Sequence, residues 1–183
     1  VIALDLLQPF LDKLKSKYNQ YNIQIVNGSM DDLPFEKESL NLIWSEGAIY
    51  NMGFSNGLRY LHPFLKPNGI IAVSELTWLT DERPQEIQEY WNSEYPEIDT
   101  IQGKINTINK SSYKLLDYFT LSEESWLDNY YRPLEIELNK IQNDKSIDGE
   151  LKEVIKSYHQ EIEIYKKFKT YFGYVFYIAM RID

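Results

Sequence analysis

Acidic side chains recur where short apolar runs of this sequence end. Asp5 ends the run "VIALD", Glu46 follows "LNLIWS", and Ser74-Glu75 lies near the end of "IIAVSEL". A carboxylate only accepts hydrogen bonds and has two oxygens, so an acid just past a strand can accept both hydroxyls of a ribose. Acids at strand-to-helix junctions also act as N-caps, and spacing alone leaves both roles open for Asp5.

The stretch "IWSEGAIYNMGF" (43–54) brings a carboxylate, a glycine and aromatic rings together. Glu46 could cap the helix that follows, or lie in a pocket and act as a base on a substrate hydroxyl. Aromatic residues that could line a substrate pocket are Tyr50, Phe54, Trp78 and Tyr131. Because 15% of the chain is aromatic, the protein core is the alternative place for each of them.

The first half of the chain alternates between strand-like and helix-like patterns. Short apolar runs predict strands at 1–5, 23–27, 40–46 and 70–76, with helices from Pro9 and over 55–65 and a turn at "KPNG" (66–69). Continuous apolar strands separated by helices indicate a parallel sheet covered on both faces, which is the doubly wound α/β arrangement. In such sheets, ligands bind beyond the carboxyl ends of the strands.

The second half predicts more helix and two further strands. Helical patterns cover 82–95, 98–110 and 131–170, the last with a break near "NDKSIDG" (143–149), and strands are predicted at 112–122 and 173–182. The extra helices could cover a pocket at the strand ends.

Composition excludes several classes of function. The 28 acidic and 19 basic residues give a formal net charge of -9, which repels polyanions and argues against a nucleic-acid partner. The chain has no cysteine, and neither His62 nor His159 has a partner at ligand spacing, so no metal site is predicted. No window approaches 18 consecutive apolar residues, so no membrane partner is predicted, and a cytoplasmic location follows by default.

Three stretches together resemble the class I S-adenosylmethionine-dependent methyltransferases. These are "VIALDLLQPFLDKL", "NGSMDDLPFEKESLNLIWSEGAIY" and "LKPNGIIAVSE". They are most similar to the small-molecule branch around the ubiquinone and menaquinone biosynthesis methyltransferases, and "WSEGAIYNMGF" resembles a narrower bacterial subgroup of uncharacterised members. The resemblance implies a Rossmann-like doubly wound sheet, mostly parallel with an antiparallel last strand, and an enzyme that transfers a methyl group to a small molecule.

The resemblance also implies roles for individual residues. Asp5, with Leu6 beside it, would bind the ribose of S-adenosylmethionine. The loop with Ser29, Met30 and Asp31 would hold the adenine, although the family usually has an acid where Ser29 stands. Glu46 and Gly47 would lie near the methionine part and the sulfonium of the cofactor, which leaves as S-adenosylhomocysteine.

The family's glycine-rich loop, which lies after its first strand, is missing from this sequence. By resemblance, the chain begins at the family's second strand, and we expect a first strand, the glycine loop and a helix upstream. Residues 1–183 are therefore predicted to be a single, N-terminally truncated methyltransferase-like domain with helical cap insertions at about 80–111 and 123–170.

Two other functions are consistent with parts of the pattern. A strand-end acid also binds the ribose of NAD, so a nicotinamide-dependent oxidoreductase is one alternative, although the "GSMDDLPF" loop and the "LKPNG" turn argue against it. A non-catalytic binding module is the other, if the protein truly starts at Val1. The second half could host a homodimer contact, and the methyl acceptor is left open.

Overall fold

The computed structural model describes residues 1–143 and 147–183. It contains seven strands: β1 (Ile2–Asp5), β2 (Gln24–Asn27), β3 (Leu40–Ser45), β4 (Leu65–Trp78), β5 (Asp99–Thr100), β6 (Tyr113–Thr120) and β7 (Phe172–Arg181). Its α-helices are α1 (Gln8–Lys17), α2 (Phe54–Leu61), α3 (Gln85–Glu94), α4 (Ile101–Lys110), α5 (Glu123–Trp126), α6 (Arg132–Gln142) and α7 (Gly149–Phe168). Short 3₁₀ turns flank α2, and a π-helical turn (Leu127–Tyr131) joins α5 to α6. The helix break predicted near 143–149 lies partly outside the described residues.

The first two strands form a small parallel sheet with α1 packed on it. Asp5 lies opposite Asn27 in the parallel register, so both strands end at the same edge. Pro9 lies in the first turn of α1, where its missing N–H costs no hydrogen bond, and Leu11 is the buried residue of the helix. This arrangement places the residues after β1 and β2 side by side.

The larger sheet has the strand order β3-β4-β7-β6, and β5 pairs with the end of β4. β3 and β5 are parallel to β4, whereas β7 is antiparallel to both β4 and β6. The predicted fold class, a mostly parallel sheet with an antiparallel last strand, is confirmed. Helices α2 and α4 pack on one face of this sheet through a core that includes Ile71, Val73 and Tyr177.

The opposite face of the larger sheet carries exposed apolar side chains. Leu42, Trp44 and Phe119 are 52%, 63% and 48% exposed. Side chains of a strand alternate between the two faces of a sheet. This face therefore carries exposed apolar side chains, whereas the other face carries the core with Ile71, Val73 and Tyr177.

β4 is longer than the sequence predicted. The predicted turn at 66–69 is a bulge inside the strand, because Leu40 pairs with Leu65 whereas Leu42 already pairs with Ile70. Asn68 has a φ of 61°, and a Cβ on Gly69 would lie 2.9 Å from the carbonyl oxygen of Lys66. β4 then continues to Trp78, beyond the predicted end at residue 76.

A second core lies at the carboxyl end of β4, under the helices of the second half. Trp78, Trp126, Tyr165 and Phe172 are its large buried members. These aromatic contacts attach α3, α5 and α7 to the sheet beyond the point where β3 stops. Within the described residues, no helix combines the length and apolarity needed to cross a membrane.

Candidate active site

The carboxyl end of β1 is shaped by hydrogen bonds of Asp5 and Asn27. Asp5 Oδ1 accepts from the backbone N–H of Leu7 at 2.7 Å. The Asn27 side-chain amide donates to the carbonyl oxygens of Asp5 (3.3 Å) and Leu6 (3.0 Å). Asp5 is thus held in a tight turn that uses one of its oxygens, and this geometry suits a second interaction with a ribose hydroxyl.

The loop predicted to hold an adenine follows β2. Ser29 and Met30 are half-buried and Asp31 is exposed. A turn closes this loop through the backbone N–H of Asp32, which donates to the carbonyl oxygen of Ser29 at 3.3 Å. Since β1 and β2 are parallel neighbours, this loop and Asp5 lie at one edge of the small sheet.

Glu46 and Gly47 follow β3 at the carboxyl edge of the larger sheet. The Gly47 N–H donates to Ser74 Oγ at 2.8 Å, and Trp44 Nε1 donates to Glu46 Oε2 at 3.2 Å. Gly47 has a φ of 56°, and no heavy atom lies within 4 Å of the place where a Cβ would stand. The left-handed conformation favours glycine here, and the open space beside it leaves room for a ligand.

A cavity of about 550 Å³ opens beside Glu46 and Gly47. Its floor comes from β4 and β7, and its walls come from α3, α5, α7 and the turn after β3. It is therefore bounded by the strand ends on one side and by the predicted cap helices on the other. A separate hollow of about 550 Å³ lies between α1 and β2 and contains none of the predicted site residues.

The cavity wall is unusually rich in tyrosine. The lining tyrosines are Tyr50, Tyr90, Tyr95, Tyr130, Tyr158 and Tyr174, and Trp91 and Trp126 also line it. The Trp126 and Tyr174 rings stack with centroids 4.9 Å apart, and Tyr50 meets Tyr95 edge-on at 6.3 Å. These ring contacts give the cavity rigid aromatic walls.

Glu46, Glu94 and Glu161 also line the cavity. Glu161 Oε1 accepts from the Tyr131 hydroxyl at 2.9 Å. Burial raises the pKa of Glu161, the bond from Tyr131 lowers it, and the nearby charge of Glu94 raises it. Burial also raises the pKa of Tyr90 to about 12, with further contributions from Glu161 and Glu94. The wall thus combines carboxylates with neutral phenols.

A buried polar cluster lies behind one side of the cavity. Tyr95, which lines the cavity, donates its hydroxyl to Glu75 Oε1, and Lys104 Nζ lies 3.3 Å from the same oxygen. Lys104 Nζ also donates to the carbonyl oxygen of Glu97 at 2.9 Å and stands over the Phe54 ring at 4.6 Å. The sequence suggested Glu75 as an acidic strand end, but it lies within β4 and is fully buried, so it serves this cluster.

Of the four aromatics predicted for a substrate pocket, only Tyr50 is among the residues lining this cavity. Phe54 is 2% exposed because it lies at the start of α2 and packs against Tyr177 of the sheet. Trp78 is buried against Phe172, with the Arg83 guanidinium 4.1 Å from its ring. Tyr131 is 1% exposed and lies under Trp126, whereas its neighbour Tyr130 lines the cavity.

Several cavity residues were not among the sequence candidates. Tyr90 and Glu94 of α3 are four residues apart, as are Trp91 and Tyr95, the residue that caps the helix, so both pairs lie on one side of it. The aromatic residues at this spacing were a readable signal in "EYWNSEY". Glu161 carried no such signal, because its partner Tyr131 is 30 residues away.

The comparisons with known proteins agree with this architecture. Residues 1–73 match a family model described as a methyltransferase domain. The structure of YjhP from E. coli superimposes with a TM-score of 0.81 over 100% of this chain and 76% of that one, at 17% identity. The chain has the fold of a class I methyltransferase. The predicted resemblance to that group is confirmed.

The names of two further similar proteins state a function. The demethylmenaquinone methyltransferase of Chlamydia caviae is 23% identical over 142 residues, which is 76% of this chain and 61% of that protein. The S-adenosylmethionine-dependent methyltransferase of Geobacter sulfurreducens, solved with S-adenosyl-L-homocysteine, has a TM-score of 0.76 at 14% identity and covers 98% of this chain and 74% of that one. The chain spans about three fifths of the curated relative it matches.

Proposed function

We propose that this protein transfers a methyl group from S-adenosylmethionine to a small-molecule acceptor. The observation that carries the proposal is the methyltransferase-domain match over residues 1–73, a segment that includes Asp5, the Ser29–Asp31 loop, Glu46 and Gly47. The structure of the Geobacter relative with S-adenosyl-L-homocysteine supports the same cofactor.

The residues at the strand ends fit such a cofactor. Asp5 would accept from the ribose hydroxyls, with Leu6 beside it, and Ser29, Met30 and Asp31 would surround the adenine. The open space at Gly47 would let the backbone approach the methionine part. When bound, S-adenosylmethionine supplies an electrophilic methyl group on a sulfonium.

The chain's own residues then have positioning roles. A large part of the rate in such a transfer comes from alignment of donor and acceptor, which the rigid aromatic walls of the cavity would provide. The helices α3, α5 and α7 would exclude water from the site. Glu46 would attract the sulfonium through its charge, and it is the weaker candidate for a base on the acceptor.

Calorimetric titration with S-adenosylhomocysteine tests the proposal. Replacing Asp5 by Ala removes a charge-assisted hydrogen bond of about 1.5–3 kcal/mol, so affinity should fall about ten- to a hundred-fold. Asp5→Asn, which can still accept from Leu7, should also weaken binding while keeping the turn. Asp12→Ala removes an exposed acid on α1 that accepts a hydrogen bond from Gln8, and this variant should bind normally.

Equal affinity in Asp5→Ala and the unmodified protein would contradict the ribose assignment. The nicotinamide-dependent alternative predicts binding of NADH instead, and the methyltransferase-domain match argues against it. Cofactor binding without turnover of any acceptor would favour the non-catalytic module. The cytoplasmic location, the absence of a nucleic-acid partner and a homodimer stay predictions.

A further inference from the structure

The charge of the cavity wall differs from that of a site for anions. Among the described residues that line it, three are glutamates and none is lysine, arginine or histidine. Lys104, the buried cation nearest to this wall, is already paired with Glu75 and donates a hydrogen bond to the Glu97 carbonyl oxygen. A phosphate- or carboxylate-bearing acceptor would therefore meet only like charge here, which is costly at low dielectric.

The aromatic walls also favour a cation over an anion. The faces of tyrosine and tryptophan rings carry negative electrostatic potential and attract cations, including ammonium groups. Six tyrosines and two tryptophans line the cavity. Rings supply large contact area with few rotatable bonds, so they hold a small cationic group at low entropic cost.

Among the described residues, no cationic side chain forms a salt bridge with Glu161. Glu161 is half-buried, and its Oε1 accepts from the Tyr131 hydroxyl. Burying a carboxylate without a counter-charge is unfavourable, and a bound cation would offset that cost. A cation between Glu161 and Glu94 would also relieve the repulsion between these two acids.

We propose that the cavity binds an amine or ammonium group, and that the methyl acceptor of this protein is an amine. This inference deepens the proposed function and rests on it for the transfer step. The binding part rests on the cavity alone: three glutamates give the charge, and six tyrosines and two tryptophans line the walls.

The transfer balances as a nucleophilic substitution. An acceptor bound as ammonium first gives a proton to a cavity carboxylate such as Glu161 or to water. The lone pair of the neutral amine nitrogen then forms the new N–C bond while the C–S bond breaks and its electron pair returns to sulfur. The positive charge passes from sulfur to nitrogen, inside a wall that stabilises positive charge. A product that still carries an N–H then gives one proton to a cavity carboxylate such as Glu161, or to water.

Three probes of the same shape and different charge test the inference. These are choline, its uncharged isostere 3,3-dimethylbutan-1-ol, and the anion 3,3-dimethylbutanoate, titrated calorimetrically with and without S-adenosylhomocysteine. Choline should bind about ten-fold or more tightly than the alcohol, since cation–π and carboxylate contacts together exceed about 1.4 kcal/mol, and the anion should bind weakest. Equal binding of choline and the alcohol, preference for the anion, or no binding of choline would overturn the inference.

Matched variants locate the effect. Glu161→Gln should weaken choline about five-fold or more and leave the alcohol unchanged, since the carboxylate acts on charge. Glu153 lies on the same helix and pairs with exposed Lys156, so Glu153→Gln should change neither affinity. Tyr50→Leu should weaken choline whereas Tyr50→Phe should not, because only leucine removes the ring face. If Glu161→Gln and Glu153→Gln behave alike, the cavity is not the binding site.

The same titrations separate the two proposals. We expect Asp5→Ala to lose S-adenosylhomocysteine binding but to keep its preference for choline, because the two ligands occupy distinct sites. A protein that prefers choline but does not bind S-adenosylhomocysteine contradicts the proposed function alone. A protein that binds S-adenosylhomocysteine but does not discriminate among the probes contradicts the amine inference alone.

Discussion

Lys104 Nζ lies 3.3 Å from Glu75 Oε1, and both side chains are almost completely buried, at 2% and 0% exposure. The pair joins α4 to β4, and Tyr95 links it to the cavity wall through its hydroxyl. Burial raises the pKa of Glu75 and lowers that of Lys104, and each charge counteracts the shift of the other. The second oxygen, Glu75 Oε2, has no hydrogen-bond partner among the described residues, so the carboxylate depends on the lysine.

Replacing Lys104 by Met should therefore destabilise the protein strongly. Removing one member of a buried ion pair leaves an uncompensated charge and typically costs about 3–5 kcal/mol. Urea unfolding followed by far-UV circular dichroism gives this free energy. The double variant Lys104→Met with Glu75→Leu should recover most of the loss, because both charges are then gone.

An exposed pair provides the control for this prediction. Lys156 and Glu153 are 3.5 Å apart with side chains 75% and 76% exposed. Exposed pairs contribute about 0–1 kcal/mol, so Lys156→Met should change stability little. A loss in Lys104→Met no larger than in Lys156→Met would show that the buried pair does not hold α4 to the sheet.

Gly47→Ala should affect both stability and ligand binding. The φ of 56° at Gly47 is left-handed, where an alanine costs about 1–2 kcal/mol. The new methyl group would also occupy the open space next to the strand end and so weaken S-adenosylhomocysteine. Gly149→Ala is the matched control, since its Cβ also meets open space but its φ is not in the left-handed range. We expect Gly149→Ala to be neutral or slightly stabilising, as measured by thermal unfolding and calorimetry.

The sheet was predictable from the sequence because its strands are locally encoded. The apolar runs at 1–5, 23–27 and 40–46 needed no knowledge of distant residues, and strands β1, β2 and β3 fall within them. The sequence predicted a turn where the structure has the bulge after Leu65, because Asn68-Gly69 favours turn conformations both between strands and inside one. The sequence did not predict that β4 pairs with β3 on both sides of the bulge.

The cavity was harder to predict, because its members meet only in the folded chain. Adjacent helical residues point about 100° apart, so an error of one position separates a core residue from a wall residue. Tyr130 and Tyr131 show this, since only Tyr130 lines the cavity. The Glu75–Lys104 and Glu161–Tyr131 contacts span 29 and 30 residues, and no local pattern encodes them.

Trp78 lies in the core and not in the predicted substrate pocket, and this placement leads to a testable prediction. Trp78 is 2% exposed and packs on Phe172, so Trp78→Ala should cost about 3–5 kcal/mol of stability through loss of burial and a cavity. Tyr50 is 43% exposed, and Tyr50→Ala should cost about 1 kcal/mol or less while weakening choline. Urea unfolding and calorimetry on both variants check this. If Tyr50→Ala lost more stability than Trp78→Ala, Trp78 would be a pocket residue and not a core residue.

Glu161 should make stability depend on pH. Burial raises its pKa in the folded protein above the ordinary value of 4.5, so the folded state favours the protonated acid. That stabilising contribution is fully present below about pH 4.5 and is lost as the pH rises through the folded pKa. Glu161→Gln cannot ionise and still accepts from Tyr131. The unmodified protein should therefore lose stability relative to this variant as the pH is raised.

Urea unfolding at a series of pH values measures that difference directly. The substitution removes Glu161 and its electrostatic coupling to Glu94 and Tyr90, so the slope of the difference reports Glu161 together with this coupling. Glu163→Gln is the control, since Glu163 is 74% exposed on the same helix and pairs with Lys166. An exposed pair contributes about 0–1 kcal/mol, so Glu163→Gln should change stability little. Choline should reduce the pH-dependent loss in the unmodified protein, because a bound cation favours the ionised Glu161. If Glu161→Gln changes stability as little as Glu163→Gln at every pH, the Glu161 carboxylate is solvated and does not face the cavity.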